Sequence, residues 1–239
     1  MQHLHPPFLP TLDAQSPLLR SIHPKQATTR WIVLGDSLVY GFGDDVGGGW
    51  VERLRRGWMT PERSHQVIYN LGVRGDGVRQ IEQRLETEFV VRGELRNRHP
   101  DRLILSVGTN DSARLGKRSG RNMLEFEQFQ FQIKTVLDRA KRLCPVWFVG
   151  MVPVDEHKMP FLDCLYYNHD DQFRYKEATR LACLDRGIPY LDLFDLWMAK
   201  GETWRRSRFT SDGLHPNSLG YVAIGQDVAN WDELRELKL

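Results

Sequence analysis

Short runs of contiguous apolar residues alternate along this chain with longer stretches whose apolar residues recur every three or four positions. The contiguous runs are Trp31–Leu34, Val67–Leu71, Leu103–Val107, Val146–Met151 and Ile188–Leu193. They are short, rich in β-branched or aromatic residues, and bounded by Gly or Pro. That pattern predicts strands buried on both faces. The periodic stretches are Val51–Trp58, Val78–Phe89, Met123–Leu143, Phe173–Cys183 and Leu219–Val228. Val78, Ile81, Leu85 and Phe89 trace one face of a helix, as do Phe126, Phe129, Ile133, Val136, Leu137 and Ala140. Alternating β and α elements predict a parallel sheet with helices on both faces. Nothing divides the periodic region, so residues 30–239 read as one domain, preceded by an extension over residues 1–29.

Residues 155–171 (DEHKMPFLDCLYYNHDD) show no clear period. They follow the fourth strand, on the side of a parallel sheet where ligands bind, and are expected to wall or cover a pocket.

Composition narrows the class. Of 239 residues, 41% are hydrophobic, and 33 Lys and Arg nearly balance 31 Asp and Glu. A disordered chain would be poorer in apolar residues, and a nucleic-acid binder is not expected at a net charge of +2. No apolar run approaches the ~20 residues that span a bilayer. The N-terminal stretch is rich in His and Pro and lacks the apolar centre of a secretory signal, which predicts a cytoplasmic chain. Cys144, Cys164 and Cys183 have no C-x-x-C spacing and read as free thiols.

The chemistry concentrates at strand ends. The first strand runs into Gly35-Asp36-Ser37-Leu38, where Ser37 is either a helix cap or an exposed hydroxyl nucleophile. The second leads to Asn70-Leu71-Gly72-Val73-Arg74-Gly75-Asp76, whose glycines can supply turns or a backbone N–H beside a reacting oxygen. The third leads to Gly108-Thr109-Asn110-Asp111, with an amide able to donate to an oxyanion. Near the C-terminus, Asp212-Gly213-Leu214-His215-Pro216 sets a carboxylate three residues before an imidazole. Three of these blocks fall at one edge of the sheet and the fourth can close over it. Together they provide a nucleophile, a base with its orienting carboxylate, and oxyanion donors.

These four blocks, in this order and over residues 31 to about 229, resemble the GDSL or SGNH-hydrolase family of lipases and esterases. The resemblance implies a three-layer α/β/α, flavodoxin-like fold with a five-stranded parallel sheet in the order 2-1-3-4-5. It implies Ser37 as nucleophile, His215 as general base and Asp212 as its orienting carboxylate. The oxyanion donors it implies are the N–H groups of Ser37 and Gly75 and the side chain of Asn110, with Gly72 the weaker match. Gly77 departs from the family, which often has Thr there. No metal or cofactor is expected; the substrate is a small-molecule ester, thioester or O-acetyl group. A short acyl chain is preferred because no extended apolar cap is visible.

Two other readings remain open on the same residues: a non-catalytic binding module, and a metal-dependent phosphoesterase using Asp36, Asp76, Asn110 and His215. Several features are read as structural. The glycines between Gly41 and Gly49 lack dinucleotide spacing, and Asp44 and Asp45 would repel phosphate. Arg74-Gly75-Asp76 spells an adhesion tripeptide without the context for one. His157 and His169 read as solvated loop residues, and Trp197, Trp204 and Phe209 as core. The basic run Arg114–Arg121 is either solvated or suited to anionic substrates.

Overall fold

The computed structural model describes residues 28–60, 65–92 and 99–235. Five parallel strands form the central sheet: β1 (Thr29–Gly35), β2 (Gln66–Gly72), β3 (Arg102–Ser106), β4 (Val146–Val149) and β5 (Tyr190–Leu191). Their spatial order is 2-1-3-4-5, with two short strands, Arg114–Leu115 and Leu165–Tyr166, paired separately. Six helices of two or more turns accompany them: α1 (Gly49–Trp58), α2 (Val78–Val91), α3 (Phe126–Leu143), α4 (His169–Leu184), α5 (Leu193–Ala199) and α6 (Ser218–Ala229). This is the expected three-layer architecture. No helix among the described residues is long and apolar enough to cross a membrane.

Strand β1 shows why the layers form. Trp31, Ile32, Val33 and Leu34 are fully buried. Their side chains alternate in direction, as strand geometry requires. Ile32 and Leu34 join Ile81, Leu85, Phe129, Ile133 and Tyr175 in one core. Trp31 and Val33 join Trp50, Leu54, Trp197, Tyr221 and Ile224 in the other. Helices α2, α3 and α4 thus cover one face, and α1, α5 and α6 the other. A contiguous apolar run feeds both cores because each neighbouring residue serves a different layer.

Element ends differ from the sequence expectation where polar groups intervene. Thr29, assigned to the extension, is the first residue of β1, while residues 1–27 lie outside the described residues. Helix α3 begins at Phe126 rather than Met123, because the Met123 N–H donates to Ala113 O at 2.7 Å and that of Leu124 to Asp111 O at 3.2 Å. Helix α4 begins at His169, four residues before its apolar period starts. Asn168 Oδ1 accepts the Asp171 N–H at 2.8 Å, and Asp170 and Asp171 suit the first turn. Strand β5 ends at Leu191 because Asp192 caps α5 by accepting the Asp195 N–H at 3.1 Å.

The aperiodic stretch after β4 is folded. A turn of 3-10 helix covers Glu156–Lys158, and Leu165–Tyr166 pairs antiparallel with Arg114–Leu115. Met159 and Tyr167 pack there with Ala113, Val154 and Leu214 in a third apolar cluster. The stretch is therefore a packed wall at the sheet's carboxyl edge, where strand order reverses on either side of β1.

Candidate active site

Ser37 opens a single helical turn, Ser37–Tyr40, directly after β1. The cap of that turn is Asp36, whose Oδ1 accepts the Leu38 N–H at 2.9 Å. Ser37 is thereby relieved of capping, and its hydroxyl lies 3.0 Å from His215 Nε2. The opposite ring nitrogen, Nδ1, lies 2.7 Å from Asp212 Oδ2. Both Ser37 and His215 are buried.

The turn carrying His215 is built on Asp212. Its Oδ1 accepts the N–H groups of Leu214 and His215, each at 2.9 Å, and the Thr210 hydroxyl at 2.7 Å. Burial alone would raise this carboxyl. The bonds from the His215 ring and backbone, Thr210 and Leu214 outweigh it and hold Asp212 well below the usual carboxylate range. Asp212 is therefore ionised and its oxygens are fixed. Phe42 and Phe161 stand edge-on to the imidazole, with ring centroids 4.6 and 5.6 Å away.

The glycines of the second block divide their tasks. The Gly72 N–H donates to Asn70 Oδ1 at 3.0 Å, and a Cβ on Gly72 would lie 2.1 Å from Tyr40 N. Gly72 is the contact that lets the Ser37 turn lie on β2. Gly75 has φ +84°, faces solvent, and has space around its α-carbon. The N–H groups of Ser37 and Gly75 donate to no group among the described residues. Gly72→Ala is expected to destabilise the fold by about 1–3 kcal/mol through overpacking. Urea unfolding measures this, and an unchanged midpoint would contradict the close approach.

Asn110 lies in the single turn Thr109–Ser112 after β3. Its Nδ2 donates to Asp76 O at 2.9 Å, and its Oδ1 accepts the Tyr167 hydroxyl at 3.2 Å. The amide orientation is thus set from both ends, and one N–H remains over. Asp76 is held by Arg84, which reaches its Oδ2 at 2.7 Å and Gly35 O at 2.9 Å, joining the first two blocks. Gly77 is explained by Asp111: a Cβ at 77 would lie 2.5 Å from Asp111 Oδ1, and Asp111 also accepts the Val78 N–H.

Asp36 and Asp111 are buried beneath these turns. Burial, assisted by the charges of Asp111 and Asp76, pushes Asp36 up to about 7; burial pushes Asp111 up to about 6. A carboxyl raised from 3.8 to about 7 holds a proton in the folded chain that the unfolded chain releases. Stability from this group is therefore present at low pH and lost as pH rises through that window. Asp36→Asn keeps the acceptor for Leu38 and removes the titration. Its melting temperature is expected to fall less than that of the wild type between pH 5 and 8. Equal falls in both proteins would contradict this account.

The glycine-rich loop after Ser37 is closed by Asp44. Its carboxylate accepts the N–H groups of Gly47 and Gly49 at 2.8 and 3.0 Å and the Ser218 hydroxyl at 2.6 Å, and pairs with Arg53 at 2.9 Å. Burial opposes ionisation, but these bonds prevail and hold Asp44 at about 2. The loop following Ser37 is thus tied to the helix following His215.

Other sequence expectations resolve as follows. Trp197 and Phe209 are buried, with Trp204 packed against their cluster. Cys144, Cys164 and Cys183 are free, and burial pushes the Cys144 and Cys183 thiols up to about 12. His157 is exposed beside Glu202, but His169 is not a solvated residue: its Nε2 lies 2.8 Å from Val154 O and its Nδ1 3.2 Å from Glu156. Arg114, at the head of the basic run, forms an ion pair with Asp171. Among the described residues, the one acidic group with metal-ligand spacing is Glu177, Asp192 and Asp195, and Lys176 Nζ lies 2.8 Å from each of them. Asp36, Asp76 and His215 do not converge as a ligand set.

A serine hydroxyl at a strand end, an imidazole backed by a carboxylate, and unpartnered amide N–H groups on an α/β/α sheet have the layout of a hydrolase site. The profile of the GDSL-like lipase/acylhydrolase family matches residues 33–223, and the chain belongs to that family. No curated protein matches the sequence. Among solved structures, a lipase/acylhydrolase from Enterococcus faecalis is 18% identical, with a TM-score of 0.68 over 87% of this chain and 97% of its own. An alpha/beta hydrolase from the metagenome of Lake Arreo, Spain, is 16% identical, with a TM-score of 0.62 over 84% of this chain and 94% of its own. A variant of an acetyl xylan esterase from Geobacillus stearothermophilus is 14% identical, with a TM-score of 0.63 over 84% and 93%. Catalytic mutants of that esterase are altered at a serine, an aspartate and a histidine, the last two three positions apart.

Proposed function

We propose that this protein is a serine esterase acting on small-molecule carboxylic esters through an acyl-enzyme. The observation that carries this reading is the continuous pair of short contacts from Ser37 Oγ through the His215 ring to Asp212. Neutral His215 takes the Ser37 proton at Nε2 as Oγ attacks the ester carbonyl. Asp212 holds the tautomer with the proton on Nδ1 and stabilises the imidazolium that forms. Negative charge collects on the carbonyl oxygen, where the N–H groups of Ser37 and Gly75 and the remaining Asn110 N–H receive it. His215 then returns the proton to the leaving alcohol. Water, activated by the same imidazole, attacks the acyl group and releases the acid and free Ser37.

Acetyl esters are the first substrates to test. Phe42 and Phe161 crowd the imidazole, and a structural neighbour is an acetyl xylan esterase. The spacing of that neighbour's mutated aspartate and histidine equals that of Asp212 and His215. A fluorophosphonate probe tests the reading. Mass spectrometry is expected to find one adduct, on Ser37, with concurrent loss of 4-nitrophenyl acetate hydrolysis. Hydrolysis that survives the probe, or that a chelator abolishes, would overturn it.

A further inference from the structure

Arg74 rests on an aromatic ring that itself packs against His215. Its guanidinium carbon lies 3.7 Å from the centroid of the Phe42 ring, and Phe42 packs edge-on against His215. A single aromatic ring therefore separates the cation from the imidazole. Arg74 also immediately precedes Gly75, whose N–H has no partner among the described residues. Around the sheet's carboxyl edge other arginines do meet carboxylates, as Arg53 meets Asp44 and Arg84 meets Asp76. Arg74 makes no ion pair or hydrogen bond among the described residues.

The stack consumes only the face of the guanidinium. Its edge carries five N–H donors in a planar fork that matches a carboxylate bidentately. The acids nearest the site are already committed. Asp76 binds Arg84, Asp212 binds His215, and Asp36 and Asp111 are buried and closed by backbone N–H groups. An exposed cation held by an aromatic ring that packs on His215, with no internal counter-charge, is suited to an anionic group on the substrate.

We propose that Arg74 binds an anionic arm of the substrate, so that the site selects esters bearing a carboxylate over their neutral counterparts. This rests on the esterase reading and adds the substrate class to it. The carboxylate belongs either to the acyl group or to the alcohol, and two matched pairs distinguish these. The acyl-side pair is 4-nitrophenyl hydrogen adipate and its methyl ester, followed through nitrophenol release. The alcohol-side pair is 4-acetoxybenzoate and 4-acetoxybenzamide.

In wild type, kcat/KM for the charged member of one pair is expected to exceed that of its neutral partner by about tenfold, and the pair identifies the side. Arg74→Gln is expected to lower that ratio by about tenfold, and added salt to lower it in the wild type. Wild type that separates neither pair, or an Arg74→Gln variant with an unchanged ratio, would overturn the proposal while leaving the esterase reading intact. No turnover of any of the four esters would overturn both.

Discussion

Replacing Ser37 by Ala is expected to lower the kcat for 4-nitrophenyl acetate by roughly four to six orders of magnitude. Losses of this size are usual when the nucleophile of such a constellation is removed. The structural basis is that, among the described residues, Ser37 alone offers a hydroxyl or thiol to His215 Nε2. The thiols of Cys144 and Cys183 are withdrawn and pushed far up. The hydroxyl of Tyr167 is committed to Asn110 and is itself raised by burial and by the charges of Asp36, Asp111 and Asp212. The substitution adds no volume and removes no cap, since Asp36 holds the turn. The fold is therefore expected to keep its melting temperature, so that the kinetic loss reports chemistry. Steady-state rates of purified wild type and variant decide the matter. Equal rates would remove Ser37 from the reaction.

The second large effect is expected at Asn110. Asn110→Ala should lower kcat about 10²–10³-fold with KM little changed, the usual result of deleting a donor to a developing oxyanion. The same side chain ties Asp76 O to Tyr167. Tyr167→Phe removes one of the two ties and leaves the bond to Asp76 O, and a smaller loss of kcat is expected, again without a change in KM. Burial keeps the Tyr167 hydroxyl protonated far into alkaline pH, so its donation to Asn110 Oδ1 persists across the working range. A loss in KM alone at Asn110 would show that the amide holds ground-state substrate.

The main architecture was legible because its determinants are local. Trp31 to Leu34 is apolar at every position, since each residue faces one of two cores, and glycines close β1 and β2 and follow β3, where the chain turns. The chemical blocks were legible for the same reason: Asp212 and His215 are three residues apart, and Ser37 and Asn110 each follow a strand at once. What was hidden depends on long-range pairing. Tyr167 meets Asn110 from 57 positions away, out of a stretch with no periodicity. Ser218 reaches Asp44 across 174 positions. No pattern in a window of ten or twenty residues reports either contact. The early start of α4 was signalled, by Asn168 and two following acids, but an apolar period is blind to a polar first turn. The stack of Arg74 on Phe42 joins two loops whose mutual position only the folded sheet defines.

The distance along the polymer between the hydroxyl and the imidazole, 178 positions, has a consequence in time. Synthesis at roughly 5–20 residues per second puts roughly ten to thirty-five seconds between the emergence of Ser37 and that of His215. On the proposed mechanism the serine has no partner to draw off its proton during that interval, so a growing polypeptide would be chemically silent toward the esters around it. Competence would then arrive only when the last turn seats on the sheet, and the onset of turnover would be a clock for the completion of folding.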